Sequence, residues 1–301
     1  MVVTDHHINS GGAAARRHSP KPPVAACIVG LERSFLLSAV RTNIFQSMVE
    51  PLEPRPDVFV SLNSSRPRAV VAEDARLFSP RDVTLRSPDG PQLGALDCHT
   101  ACWPRILHAE KLRRQRYTWV MRLRTDIMYA RPLPPYSSWP TVEGNVVFVE
   151  ACGAGRVPAP LAEELETSTC NRTRMLPGNN ATGLSLGCVK DTWALVARGA
   201  ADSYFNRTLL KSVHAEASRA GYRCLTVRRY ECRLGCALHL RGADVRVLPL
   251  PRQIVRSRVD RTGNATASHP LAFRSLGPPL SLTTLPVRFK PHGLAVFTGR
   301  R

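Results

Sequence analysis

Seven consecutive apolar or small residues, Val24-Ala-Ala-Cys-Ile-Val-Gly30, set the strongest limit on what this chain can fold into. The run has no polar alternation, so a strand made from it must be covered on both faces, as in a parallel sheet between helical layers. It is the length of a strand and falls well short of the roughly 18 apolar residues a membrane helix needs; no other window reaches that length either. From Ser34 onward the apolar residues Leu37, Val40, Ile44, Phe45 and Met48 recur at helical spacing, and Pro51 stops the helix. Residues 57–62 then read as a second short strand. The simplest reading of this opening is a βαβ unit.

The same alternation continues. Residues 63–97 are rich in proline and turns, with one further strand expected at 69–72. A helix is expected over 101–116, with Trp103, Ile106 and Leu107 facing inward, followed by a strand over 117–123 and an apolar step at 127–129. Strands are also expected at 145–150, 191–197 and 244–248, and helices at 199–220 and 232–240. The stretch 151–187 is long and irregular, of the kind that serves as a lid or binding loop or stays disordered. Residues 1–22 read as a disordered tail lacking the apolar stretch of a signal peptide, 23–258 as one α/β domain, and 259–301 as an irregular tail.

The net charge of +19 comes almost entirely from arginine: the chain has 37 Arg and five Lys against 23 acidic residues. A strongly basic chain can bind nucleic acid, but these arginines are spread along the whole sequence and only 6% of residues are aromatic. There is neither a compact basic arm nor a stacking platform, so nucleic acid is not an expected partner.

Asparagine and cysteine say more about compartment. Five of the nine Asn head an Asn-x-Ser/Thr sequon: Asn63, Asn171, Asn180, Asn206 and Asn264. That density points to the secretory lumen (Golgi or ER) or to secretion, with the acceptors on exposed loops. Nine cysteines suit such a compartment. Cys98 and Cys102, and again Cys232 and Cys236, are spaced so that a helix would place each pair on one face. That spacing leaves both disulfides and a zinc site open. His99, His108, His214 and His239 show no ligand spacing to one another, and Walker, dinucleotide and Gly-x-Ser-x-Gly patterns are missing from the sequence.

In α/β sheets ligands sit beyond the carboxyl ends of the strands. Three segments expected at such ends carry charge or turn chemistry: Gly30-Leu-Glu-Arg33-Ser34-Phe35, Arg122-Leu-Arg-Thr-Asp126 and Lys190-Asp191-Thr-Trp. With these blocks in this order, residues 24–257 resemble the GT-A-type glycosyltransferase-like domains of algae, plants and other eukaryotes. The matching residues are Gly30, Arg33, Ser34 and Phe35 in the first turn and Tyr117, Trp119, Val120, Arg122, Arg124 and Asp126 in an aromatic-rich strand, followed by Pro132 to Pro134. Asp191, Tyr204 and Phe205 match a later block.

The resemblance implies a single GT-A-like α/β domain with a mostly parallel central sheet, and transfer of a sugar from a nucleotide-diphosphate donor to a hydroxyl of a glycan or protein acceptor. It implies diphosphate contacts from Gly30, Arg33, Ser34, Arg122 and Arg124. It also implies catalytic roles for Asp126 and Asp191, with Asp126 holding Mn²⁺ or Mg²⁺ across the phosphates and Asp191 taking the acceptor's proton. The sequence departs from the family's Asp-x-Asp at one point, because position 124 is Arg. A guanidinium there repels a cation or replaces it as counter-charge, and an Arg124–Asp126 ion pair closing the strand end is the structural alternative. Asp191 can equally be a structural cap. Two other readings of the whole chain remain open: a non-catalytic binding module of the same fold, and a basic polyanion-binding protein.

Overall fold

The computed structural model describes residues 23–86, 100–139, 144–149, 192–220 and 230–247, together with short strands at 185–186, 223–224, 252–254, 257–259 and 265–267. In chain order the main elements are β1 (Val24–Leu31), α1 (Glu32–Phe35), α2 (Ser38–Ile44), β2 (Asp57–Asn63), α3 (Arg68–Asp74), β3 (Asp82–Arg86), α4 (Trp103–Arg113), β4 (Trp119–Arg124), β5 (Ile127–Tyr129), β6 (Val146–Val149), β7 (Ser185–Leu186) and β8 (Trp193–Ala197). They are followed by α5 (Ala201–Phe205), α6 (Arg207–Arg219), β9 (Arg223–Cys224), α7 (Tyr230–Leu240), β10 (Asp244–Val247), β11 (Arg252–Ile254), β12 (Ser257–Val259) and β13 (Ala265–Ala267).

Seven strands form one sheet in the order β10-β6-β8-β4-β1-β2-β3. β1 pairs in parallel with both β2 and β4, β2 with β3, and β6 with β10. Only β8 runs against its neighbours, β4 and β6. The expected α/β class with a mostly parallel central sheet is therefore what the chain forms.

The apolar run of β1 explains the layering. Val24, Ala26 and Ile28 belong to a core on one face, with Phe35, Val40, Ile44, Met48 and Trp139. Ala25, Cys27 and Val29 belong to a second core on the other face, with Trp103, Ile106, Tyr204, Phe205 and Leu238. Side chains alternate across a strand, so a strand apolar at every position feeds both layers. A disulfide between Cys27 and Cys102, which are 75 residues apart, fastens the centre of β1 to the start of α4.

Two buried charge clusters brace the amino edge of the sheet. Asp57, which opens β2, accepts a hydrogen bond from the Tyr117 hydroxyl (2.7 Å) and ion pairs with Arg113 (3.3 Å) and Arg81. Burial, reinforced by that hydrogen bond to Asp57, pushes the Tyr117 hydroxyl well above the usual phenol range, so it stays protonated and donates. Glu110 on α4 accepts both forks of Arg198 (2.8 and 3.0 Å) and the backbone N–H of Tyr117 (2.9 Å), while the Arg198 guanidinium lies 4.9 Å from the centre of the Trp103 ring. Buried charges persist where each is paired and hydrogen-bonded, and these are.

Several expectations change. Residues 69–72 are helical, within α3, because Pro67 presets its entry; Val71 is buried in the core and Ala72 packs against it. The helix read from Ser34 to Pro51 is split: α1 ends at Phe35, and α2 passes into one wider turn, Phe45–Val49. The helix read over 199–220 is divided at Asn206, which caps α6 by accepting from the N–H groups of Thr208 (3.0 Å) and Leu209 (3.3 Å). In the stretch read as an irregular tail, β13 pairs antiparallel with β12. Most of 151–187 lies outside the described residues.

Candidate functional site

The strand order reverses beside β1. The chain runs from β1 outward to β2 and β3 on one side, then returns to lay β4 on the other. The segments that follow the two strand ends stay on one face, since β5 packs against α2 and Asn43 exchanges two hydrogen bonds with the Tyr129 backbone (2.9 and 2.6 Å); the carboxyl edge beside such a reversal is where open α/β sheets take ligands. The residues at this edge are Gly30 and Leu31 from β1 and Arg124, Thr125 and Asp126 from β4, with Val29 in register with Arg124.

A polar tie joins the two strand ends. The Thr125 backbone N–H donates to the carbonyl of Val29 (3.2 Å), and its Oγ1 donates to the carbonyl of Leu31 (3.0 Å). Thr125 is fully buried against the Cα of Gly30. A Cβ at position 30 would lie 2.2 Å from Thr125 Oγ1, and the backbone there has φ of +150°. Gly30 is thus required by the close packing of its own neighbour. Sequence reading did not single out Thr125; the only signal was a neutral residue between two charged ones.

The charged residues divide sharply. Arg33, on the turn that follows β1, is exposed, and its guanidinium has no hydrogen bond or ion pair among the described residues. Ser34 beside it is buried at 2% exposure. Arg122, at 3% exposure, is enclosed in the sheet two residues before the edge, on the face it shares with Val120. Arg124 grips Asp126 with both arms of its fork: Nε to Oδ1 at 2.9 Å and an Nη to Oδ2 at 2.7 Å. Of the expected contacts, Gly30, Arg124 and Asp126 lie at the carboxyl ends of β1 and β4 and Arg33 follows β1 there, whereas Ser34 and Arg122 are buried. Asp191 lies outside the described residues. A second group of charges flanks the edge, with Arg66 pairing to Glu32 (3.3 Å) and Asp74 (3.0 Å).

Asp126 fits a divalent cation poorly. Both of its oxygens already accept from Arg124, and among the described residues no group of three or more His, Cys, Asp or Glu could hold a metal. Coulomb energy falls as 1/r, so a guanidinium about 5 Å from a dication cancels roughly half of the attraction of one carboxylate about 3 Å away. Mn²⁺ and Mg²⁺ hold to sites with several uncompensated oxygens.

Among the described residues the cysteines form disulfides, one of the two outcomes their spacing left open. Cys102 precedes α4 and pairs with Cys27 instead of sharing a helix face with Cys98, which lies outside the described residues. Cys236 on α7 is also disulfide-bonded. Neither thiol remains for zinc. Of the sequons, Asn206 sits at the start of a helix, but Asn63 ends β2 and is hydrogen-bonded in register with Leu31 and Arg86, so it is not an exposed-loop acceptor. Two grooves, of about 370 and 590 Å³, open along the edge strand β3, where Arg81 and Asp82 line both.

No protein-family model matches the chain, and no curated protein matches it significantly. Among solved structures, the mannosyltransferase PcManGT from Pyrobaculum calidifontis, in complex with GDP-Man and Mn²⁺, is similar at 13% identity with a TM-score of 0.35. The match covers 67% of this chain and 54% of that one, so the chain spans about half the length of that structure. No helix among the described residues is long and apolar enough to cross a membrane.

Proposed function

We propose that the chain is a glycosyltransferase-like protein that binds a nucleotide-diphosphate sugar in the crevice between the carboxyl ends of β1 and β4 and transfers the sugar to an acceptor hydroxyl. The observation that carries this reading is that the Gly30–Arg33 turn and the Arg124–Asp126 segment follow the carboxyl ends of two neighbouring parallel strands, β1 and β4, beside which the sheet order reverses. These segments are about 90 residues apart in sequence, and a switch-point crevice is where α/β sheets take nucleotide ligands.

When the bond from sugar to diphosphate breaks, the leaving group gains negative charge, and cations fixed beforehand near it lower the barrier. Arg33, exposed just beyond β1, is proposed for this role, with a planar fork suited to phosphate oxygens. Asp191, beyond the described residues, is proposed as the acceptor-side base on the strength of the sequence alone. The buried disulfide and the sequon at Asn206 support a lumenal or secreted setting.

The test is incubation of the purified chain with a panel of nucleotide sugars, reading release of the nucleoside diphosphate. Slow donor hydrolysis that Asp191→Ala lowers by at least about 100-fold, the usual contribution of a positioned base, supports the transferase. Equal hydrolysis by wild type and variant with every donor rejects it. Binding of nucleotide without turnover selects the non-catalytic module, which the closed Arg124–Asp126 pair favours.

A further inference from the structure

The Arg124–Asp126 pair makes the charge at this crevice different from what a metal-bridged diphosphate requires. A carboxylate that serves a divalent ion must bring uncompensated negative charge. Here the carboxylate is neutralised by its own strand, at 2.7 and 2.9 Å, with the two side chains 30% and 26% exposed. Among the described residues next to this pair, Arg33 offers an exposed guanidinium just beyond the neighbouring strand. Glu32, which could have offset it, is buried at 9% exposure and paired to Arg66.

We infer that this crevice takes the diphosphate of its ligand through guanidinium contacts, with Arg33 as the principal one, and without a bridging divalent cation; the Arg124–Asp126 pair is a neutral strut that fixes the strand end. The inference rests on the donor-site reading above and goes beyond it by naming what balances the phosphate charge. The strut and metal-ligand roles predict opposite signs for one substitution. If Asp126 holds a metal, Asp126→Asn destroys nucleotide binding. If Asp126 neutralises Arg124, the same change unmasks a positive charge beside the phosphates and leaves binding intact or tighter.

The experiment is calorimetric titration of the full chain with UDP and with GDP, in EDTA and again in Mn²⁺. Wild type is expected to bind in EDTA within about threefold of its affinity in Mn²⁺. Loss of a charge-assisted contact in Arg33→Gln should weaken binding by about ten- to a hundredfold. Arg76→Gln, 80% exposed and away from the crevice, serves as the charge-matched control and should leave binding unchanged. Asp126→Asn should bind in EDTA at least as tightly as wild type. Binding only in Mn²⁺, or its abolition in a folded Asp126→Asn, overturns the inference while leaving the donor site standing. Failure of either nucleotide to bind under both conditions overturns the donor site and the inference together. If Asp126→Asn does not fold, the wild-type comparison of EDTA with Mn²⁺ still decides.

Discussion

Gly30 and Thr125 carry the sharpest constraint at the scale of single residues. Position 30 needs a backbone conformation that side chains rarely adopt, and Thr125 Oγ1 occupies the space a methyl group would take. Thr125 cannot move away easily, since the same hydroxyl donates to Leu31 and the residue is fully buried. Gly30→Ala is therefore expected to destabilise the chain by at least about 2 kcal/mol, combining overpacking with an unfavourable φ. Denaturant unfolding checks this: an unchanged midpoint refutes the close-packing account. Gly30 was legible in the sequence as part of a turn before a helix, but its reason was not. The atom that demands glycine belongs to a residue 95 positions away.

At the scale of elements, the cap and the cross-link do separate work. Asn206 stops α5 and starts α6 by taking two backbone N–H groups on its side-chain oxygen. Asn206→Ala is expected to cost about 1 kcal/mol, and Asn206→Asp to cost little, because Asp caps equally well; thermal unfolding of the two variants separates a cap from a mere surface residue. The disulfide acts on a longer loop. Closing 75 residues removes unfolded-chain entropy worth about 4 kcal/mol in the loop-entropy treatment. Replacing both Cys27 and Cys102 by Ala should lower the unfolding free energy by roughly that amount, and a loss below about 1 kcal/mol would show that the bond staples nothing. The helix period in 34–50 and 199–220 was visible in the sequence. The interruptions at Leu36–Leu37 and Asn206 were not, because a helical apolar pattern continues across a break when both pieces pack on the same sheet face.

For the whole molecule, β1 and the amphipathic segments around it determined the outcome by themselves. A strand apolar at every position has to be covered twice, so a layered α/β sheet followed from hydrophobic burial alone, without knowledge of any neighbour. The kinds of residue at the strand ends, Arg33, Arg124 and Asp126 among them, were equally plain from their place just beyond apolar runs. Only the tertiary structure decided which of these charges are already spent. It joined Arg124 to Asp126, enclosed Arg122 within the sheet, left Arg33 facing solvent and set β4 beside β1 at the switch point. Burial propensity is a property of each residue and can be read along the chain. Charge pairing falls off with distance in three dimensions, and those distances exist only once the strands have taken their order.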